Sequence, residues 1–522
     1  DRRQRQMCIR DRINMDSQIP NRVVKEWLEQ GHLFENITCI RPEYTYGNSR
    51  FDLYVEAGER KIFIEVKGVT LEEDGVVRFP DAPSERAVKH VEELQKAVKD
   101  GYEAYVFFVI QMKGVRYFTP NRQTHPAFAD ALKEAEENGV KILAYDCYVT
   151  EDSIEIAEEI PVILECPQLY EMREPLVQWY RKNKRDLPWR KRINAYRVWI
   201  SEIMLQQTRV EAVKPFYERF MRELPNVAAL AVCPEEKLLK LWEGLGYYNR
   251  VRNMQKAAQK IMEVYDGVFP ADYEALKGLP GIGNYTAGAV ASIAFCIPVP
   301  AVDGNVLRVM ARLREDGEDI LKQSVKNRVE AELTEIMPAE DPGAFNQAMM
   351  DLGAMVCLPN GAPKCEVCPL FDQCLAGQHQ TWTEYPFKKS AKPRRIEDRT
   401  VLLFLDGTHT AVRKRPKKGL LAGLYEFPNF DGVLSEQEAL EEAEKFGVTP
   451  LHIQALPPYK HIFSHVEWHI TGYAIKIAGN DVEQEGEEKA GLIFADAKTA
   501  AERYAIPSAF AEYAKYTDLE RA

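Results

Sequence analysis

Apolar and polar positions alternate in three different ways along the chain. Between about residues 13 and 164 short apolar runs alternate with helical stretches. Phe51–Val55 and Lys61–Val66 are predicted strands, and Ser84–Lys99 a helix opened by Ser84. Tyr105–Ile110 follows as a buried strand, Pro126–Asn138 as a helix and Lys141–Tyr145 as a strand. That order is an α/β pattern. From about 168 to 375 the strand signal nearly vanishes, and stretches such as Val198–Phe220 and Val251–Tyr265 repeat at the helical period. Residues 376–398 are polar, basic and Pro-containing, the signature of a linker. Strands return from Thr400, at Val401–Leu405 and Trp468–Ile477, around a helix at Ser435–Phe446. The expected architecture is therefore multidomain: an α/β module, an all-α domain and a smaller α+β domain (399–522). No repeat at a fixed period runs through it. The first dozen residues, Asp1–Arg12, have no periodicity and read as a non-native leader like translated adapter sequence, so the chain is expected to lack its true start.

Length agrees with this division, since 522 residues suggest about three or four domains. No apolar run approaches the ~18 residues of a membrane span and no secretory leader opens the chain, which argues against membrane and secreted classes. The formal charge is -12, from 68 Lys+Arg against 80 Asp+Glu. That excludes a wholly basic nucleic-acid coat but not a local DNA footprint. Basic clusters occur at Arg181–Arg185, Lys388–Arg395 and Arg413–Lys418, and acidic stretches at Glu436–Glu444 and Glu485–Glu488. Six of the ten cysteines are scattered. The other four, Cys357, Cys365, Cys368 and Cys374, crowd into one C-x7-C-x2-C-x5-C segment. Such a cluster in a large chain indicates a metal site in a reducing cytoplasm rather than a disulfide framework. Spacing alone leaves zinc and an iron–sulfur cluster both open.

A two-residue turn at Gly58-Glu59 pairs residues whose numbers sum to 117, which sets Asp52 opposite Glu65 with Lys67 on the same face as Glu65. Two such carboxylates can hold Mg²⁺ and activate water, or can be an exposed hairpin with an ion pair. Pro20-Asn21-Arg22, Ser49–Asp52, Ile64–Thr70, Phe79–Pro83 and Lys89-His90 resemble the sugar fermentation stimulation protein (SfsA) family, which is assigned to the PD-(D/E)xK nuclease-like superfamily. The resemblance covers about residues 13–164 and begins midway through the family pattern, without its N-terminal small barrel. It implies a truncated nuclease-fold module with Asp52, Glu65 and Lys67 as its site and Mg²⁺ as its ion.

In the helical domain, Leu279-Pro280-Gly281-Ile282-Gly283 precedes the helix-forming Asn284–Phe295. Glycines at a tight turn before a helix N-terminus suit a phosphate, the sequence form of a helix-hairpin-helix DNA clamp, although the same motif can join two core helices. Asp303, in Val302–Val306, is either an N-cap or a carboxylate aimed into a cleft. Glu202 sits in a largely apolar helical stretch, where a carboxyl has a raised pKa and can donate a proton, or it lies on an exposed helix face. An acid and a second carboxylate suffice to break a glycosidic C–N bond.

Leu187–Arg190, Glu202–Thr208, Trp242–Tyr248, Leu279–Thr286, Val302–Val306 and the cysteine cluster resemble the adenine DNA glycosylase (MutY) family over about residues 170–515, with the glycosylase domain at 168–375. The resemblance implies a 4Fe-4S cluster on the four cysteines. It implies double-stranded DNA with adenine opposite 8-oxoguanine, or guanine, as substrate. Glu202 would then protonate N7 of adenine and help activate water. Asp303 would stabilise the sugar cation or bond to it transiently, supported by Tyr285 and Asn305. Gln207 and Tyr247 would enter the base stack, Tyr247 having also a reading as a core aromatic. Trp189 and Arg190 would line the pocket for the extrahelical base. Thr208, Leu245, Gly281 and Gly283, in the same motifs, join the DNA-recognition set. The similar endonuclease III family carries a Schiff-base lysine where Tyr285 stands, so a monofunctional enzyme is expected. Seven residues rather than six separate the first two cysteines, a loop adjustment.

Arg413–Pro428 and Phe463-Ser464-His465 resemble the Nudix-like C-terminal domain of the same glycosylases. The resemblance implies that Phe463, Ser464 and His465 read 8-oxoguanine, with Ser464 as the hydrogen-bonding group. Leu440 occupies the arginine position of the hydrolase helix, so a recognition module without pyrophosphatase activity is expected. The combined expectation is a cytoplasmic, monomeric base excision repair glycosylase fused behind a truncated nuclease-like module. The alternatives are a damaged-DNA-binding protein without catalysis and a Mg²⁺-dependent nuclease.

Overall fold

The computed structural model describes residues 19–47, 49–165, 167–389, 393–407, 409–478, 488–489 and 491–517. The leader at 1–12, Cys8, Cys166, the centre of the linker at 390–392 and Glu485–Glu487 lie outside the described residues. The chain divides into two compact units, residues 1–174 and 175–522.

The first unit contains α1 (Ile19–Glu29), β1 (Ile37–Tyr46), β2 (Ser49–Ala57), β3 (Arg60–Val69), β4 (Leu71–Glu73), β5 (Val76–Phe79), α2 (Glu85–Lys99), β6 (Glu103–Ile110), β7 (Tyr117–Pro120), α3 (Pro126–Glu137), β8 (Lys141–Val149) and β9 (Ile154–Glu159), followed by α4 (Pro167–Glu171). Its main sheet runs β1-β2-β3-β6-β8-β9, and β4-β5-β7 form a small second sheet. The centre, β3-β6-β8, is parallel. Parallel strands are covered on both faces, which explains why β6 reads as the unbroken apolar run Ala104–Ile110. Phe63, Phe108 and Ile110 pack on one face with Val91, Leu94, Phe128 and Leu132 of α2 and α3. Ile62, Ile64, Phe107 and Val109 pack on the other with Val24 and Leu28 of α1. Ser84 caps α2, its side chain accepting from the Ala87 N–H at 3.3 Å.

The hairpin follows the expected register from Ala57↔Arg60 to Leu53↔Ile64. The ladder stops there. Asp52 is not paired across the sheet with Glu65. Its Oδ2 accepts the Val66 N–H at 2.8 Å, so a side chain replaces the missing backbone partner.

The second unit opens with α5 (Arg173–Asn183), which straddles the division, and continues through α6 (Ala195–Leu205), α7 (Val210–Glu223), α8 (Val227–Ala231), α9 (Glu235–Leu241), α10 (Asn249–Val264), α11 (Tyr273–Lys277), α12 (Asn284–Phe295), α13 (Gly304–Arg314), α14 (Gln323–Glu335), α15 (Pro342–Met355) and α16 (Leu375–Gln378). The single stretch expected at Val198–Phe220 is two helices, α6 and α7, broken at residues 206–209, where Gln207 adopts φ +58. Four polar residues occupy the break, and neither Gly nor Pro marks it. Helix α12 packs tightly against the segment that follows it: Gly288 lies so close that a Cβ there would be 2.1 Å from the Pro300 carbonyl oxygen.

Strands β10 (Arg395–Asp406), β11 (His409–Lys414), β12 (Tyr425–Glu426), β13 (Asn429–Asp431), β14 (Pro450–Ile462), β15 (Val466–Ile477), β16 (Glu488–Lys489) and β17 (Leu492–Ala495) form the C-terminal sheet. Its main path is β14-β15-β10-β11-β17-β16. Helix α17 (Glu436–Lys445), held by a Ser435/Glu438 capping box, covers one face, and α18 (Ala497–Arg503) and α19 (Ala511–Ala514) follow β17. The stretch expected as a linker is fastened over its first half to the helical domain. Arg312 Nε donates to the Tyr385 carbonyl at 2.9 Å, and the Ile320 N–H to the Phe387 carbonyl at 3.2 Å. Helical and sheet parts are further tied by Arg252 Nη2 to the Ala422 carbonyl at 2.7 Å and Lys240 Nζ to the Tyr504 carbonyl at 3.0 Å. Among the described residues, no helix is long and apolar enough to cross a membrane.

Candidate active site

Helix α6 is buried nearly all round and carries Glu202 into the interior, where the residue is 6% exposed. Ionising a carboxyl there costs its hydration. Burial, reinforced by the charge of Asp303, raises its pKa to about 7, against the opposing effects of a hydrogen bond from Tyr285 and the charges of Arg190 and Arg185. Tyr285 lies in the first turn of α12 and donates its hydroxyl to Glu202 Oε2 at 2.5 Å.

Asp303 combines the two roles left open by sequence. It is the N-cap of α13, with Oδ1 accepting the Asn305 and Val306 N–H groups, each at 2.8 Å. Its Oδ2 accepts from Asn305 Nδ2 at 2.8 Å. Asn305 is held in turn by Arg308 Nη2 at 2.9 Å, and Arg308 Nε donates to the Cys357 carbonyl at 2.9 Å. The cap thus holds a carboxylate at the wall of the cavity that Glu202 also lines.

That cavity has a volume of about 710 Å³, and its lining includes Trp189, Arg190, Glu202, Tyr285, Asp303 and Asn305. Arg185, Gln347 and Met350 also line it, three residues that sequence reading missed. Arg185 and Arg190 are anchored by Asp351, which is 0% exposed. Arg190 reaches Asp351 in a fork at 2.7 and 3.0 Å, and Arg185 reaches Oδ1 at 2.6 and 2.8 Å. Burial disfavours the Asp351 carboxylate, but the two guanidinium groups prevail and hold its pKa below the ordinary range. Asp351→Ala would strand two cations, a loss of about 3–5 kcal/mol, read as a lowered denaturation midpoint. Because the folded-state pKa is depressed, the stabilisation from Asp351 is present at neutral pH and disappears as pH falls through that lowered value.

Around the mouth of the cavity, Gln207 is exposed and Thr208 half-buried, and both line it. Tyr247 is 50% exposed at φ +47, so it is not a core aromatic. Leu245, expected to contact DNA, is 5% exposed, because its side chain packs in the helical core. Gly281 has φ +77, and a Cβ there would meet Asn253 Cβ at 2.7 Å. Gly283 is extended and faces open space, so no neighbour within the chain demands a glycine there. Tyr247 and Ser464 hydroxyls are hydrogen-bonded at 3.2 Å across the helical and sheet domains. Phe463 packs edge-on against Trp468 at 4.9 Å, and Ser464 and His465 are exposed.

The four clustered cysteines are unbridged and partly buried. Burial raises the Cys368 thiol to about 12 and the Cys374 thiol to about 11, and Cys368 is further raised by the charges of Cys357, Cys374 and Cys365. Arg312 Nη1 donates to Cys357 Sγ at 3.3 Å, and the Gly377 N–H to Cys374 Sγ at 3.3 Å. Thiol groups that raise one another's pKa, with N–H donors aimed at two of them, have the donor chemistry of an iron–sulfur site, although among the described residues the four are not drawn together into a ready-made metal site.

In the first unit, Glu65 is buried beneath α2. Lys67 Nζ donates to its Oε1 at 2.6 Å, and His90 Nδ1 bonds the same oxygen. Burial works against the Glu65 carboxylate, but His90 and Lys67 lower its pKa overall. Asp52 is raised by burial and then by Glu65, and Asn21 donates to its Oδ1 at 2.7 Å. His90 and Asn21 are partners that sequence reading quoted without a role. Glu65 Oε2 is buried with no hydrogen-bond partner. Among the described residues no three His, Cys, Asp or Glu side chains are gathered as a ready-made metal site, so the pair expected to hold Mg²⁺ supplies one orphan oxygen rather than a preformed cage.

Three families match separate parts of the chain. Residues 18–153 match the sugar fermentation stimulation protein RE domain, residues 200–338 the HhH-GPD superfamily of base excision DNA repair proteins, and residues 400–516 the NUDIX domain. A sugar fermentation stimulation protein homolog of Desulfitobacterium hafniense (strain DSM 10664 / DCB-2) is 64% identical over 152 residues, 29% of this chain and 66% of that protein. The chain therefore spans just under two thirds of that relative's length. The adenine DNA glycosylase of Buchnera aphidicola subsp. Schizaphis graminum is 33% identical over 311 residues, 59% of this chain and 89% of that one. The solved structure of a thermostable thymine-DNA glycosylase, 25% identical with a TM-score of 0.37, covers 41% of this chain and 98% of its own. The helical fold, the glycine turn at Leu279–Gly283 before α12 and the Glu202/Asp303 pair belong to a base excision DNA glycosylase, with an SfsA-like domain ahead of it in sequence and a Nudix-like domain after it. The chain belongs to the adenine DNA glycosylase family.

Proposed function

We propose that this protein hydrolyses the N-glycosidic bond of adenine mispaired with 8-oxoguanine or guanine in double-stranded DNA and leaves the strand uncut. The observation that carries the reading is the unequal pair in one cavity: Glu202, whose pKa is raised to about 7, and Asp303, held by three hydrogen bonds. Protonated Glu202 donates its proton to N7 of the flipped adenine. The C1′–N9 bond breaks with its electron pair leaving on the base, and Asp303 stabilises the resulting sugar cation. Glu202, now a carboxylate, accepts a proton from the water that attacks C1′. Tyr285 cannot form a Schiff base, which supports hydrolysis without strand cleavage. Phe463, Ser464 and His465 are the proposed readers of 8-oxoguanine. The protein is proposed to act as a cytoplasmic monomer.

Cys357, Cys365, Cys368 and Cys374 would hold the 4Fe-4S cluster, which supplies a four-way cross-link of the segment they span. Anaerobically purified protein should contain about four irons per chain and no zinc, checked by elemental analysis. Adenine release from a duplex with A opposite 8-oxoguanine, in EDTA and scored with and without alkali, tests the main reading. Alkali-dependent breaks support it. Tight binding with intact DNA would indicate a damage-binding protein instead.

The orphan Glu65 Oε2 beside Asp52 favours a second reading for the first unit, a Mg²⁺-dependent nuclease. The ion would supply an activated water, and Lys67 would steady charge on a phosphate. Mg²⁺-dependent cleavage lost in Lys67→Ala is the result expected of it.

A further inference from the structure

Gln207 and Tyr247 are exposed residues held in left-handed backbone conformations, φ +58 and +47, on two turns far apart in sequence. A left-handed non-glycine residue is costly and persists only where its surroundings enforce it. One side chain reaches both turns. Arg250 Nη1 donates to the carbonyls of Ile203 at 2.8 Å, Met204 at 3.4 Å and Gln206 at 2.6 Å, the open C-terminal end of α6. Its Nη2 donates to the carbonyls of Leu245 at 2.8 Å and Gly246 at 3.1 Å, immediately before Tyr247. The guanidinium also sits 5.3 Å from the Trp242 ring and 5.6 Å from the Tyr247 ring. A helix C-terminus carries unsatisfied carbonyls and partial negative charge, so a cation there is favourable. Capping one helix does not account for the second arm of the fork.

We propose that Arg250 is a positioning residue that locks the Gln207 and Tyr247 turns into one rigid wedge, so that both side chains enter the duplex together. This rests on the glycosylase reading above. Lysine keeps the charge but is a point donor without the planar fork, so it can cap α6 or hold the second turn but does not bridge them in the same way. The wedge is a two-tip device: with the bridge intact, losing either tip disables the other.

The test is a double-substitution cycle in the full chain, Q207A, Y247A and both together, repeated with R250K. The probe is a duplex with A opposite 8-oxoguanine and a neighbouring 2-aminopurine, whose fluorescence reports unstacking. Adenine release is measured in a single turnover alongside. Independent tips would give fold-losses that multiply. The proposal expects the double variant to lose no more than about threefold beyond the worse single variant, and expects multiplication to return with R250K. Multiplicative losses in the otherwise unaltered chain would overturn it, as would coupling that survives R250K undiminished while only the melting temperature drops. If R250K does not fold, multiplicative losses in the unaltered chain would still overturn the proposal. Should the unaltered chain unstack the probe yet release no adenine, the glycosylase reading falls, and the fluorescence cycle still tests the bridge.

Discussion

Glu202→Gln lowers adenine release by about 10²–10⁴-fold, the range expected when a positioned general acid is removed. Glutamine preserves the size and the acceptor for Tyr285, so duplex binding stays within about threefold and the loss falls on the chemical step. The pH dependence has a definite sign. The reacting form is the protonated carboxyl, and burial places its pKa at about 7. Release therefore holds level below that pH and falls about tenfold per unit above it. A single-turnover profile between pH 5.5 and 9 checks both limbs. A rate that rose through pH 7 would assign Glu202 as a base in the limiting step.

Asp303 allows a cleaner separation, because its two roles respond differently to two substitutions. Asn is as good an N-cap as Asp, so Asp303→Asn keeps the bonds from the Asn305 and Val306 N–H groups while removing the negative charge and the Oδ2 acceptor for Asn305 Nδ2. Release should fall about 10²–10³-fold, the usual cost of losing one preorganised electrostatic group, with a smaller change in melting temperature than Asp303→Ala causes. Asp303→Ala loses the charge and the cap together. It adds a stability loss of about 1 kcal/mol, which lowers melting by a few degrees, about 2–4 °C. Equal melting temperatures for the two variants would remove the cap from the account.

Local features were legible in sequence and distant ones were not. Ser84, a polar residue before an apolar-periodic run, marked the start of α2 because its chemistry acts within one turn. The Gly58-Glu59 turn set the register down to Leu53↔Ile64 for the same reason. The break between α6 and α7 was hidden, since neither Gly nor Pro marks it and Arg250, which donates to the carbonyls at the end of α6, lies 44 residues from Gln206 in the chain. Asp351 could not be read as the anchor of Arg185 and Arg190, because that pairing is created only when α15 packs beside the turn carrying the arginines. Leu245 illustrates the opposite error. A motif names the segment that approaches DNA, but whether each of its side chains points outward depends on turn geometry. Glu202 and Asp303 were legible as candidates, and their unequal environments became visible only through burial and the Tyr285 and Asn305 contacts.

The Tyr285 hydroxyl has a consequence for direction. It donates to Oε2 of Glu202 and leaves Oε1 out of that bond. In a neutral carboxyl group, the oxygen receiving a hydrogen bond takes on carbonyl character, and the acidic proton resides on the other. Tyr285 thereby sorts the two oxygens before any base arrives, making Oε2 the fixed pivot and Oε1 the delivering end. Tyr285→Phe would leave the proton free to sit on either oxygen, so a share of bound complexes would present it to the wrong side. In the proposed mechanism the acid would therefore have one delivering oxygen, set by a residue that never touches the transferred proton.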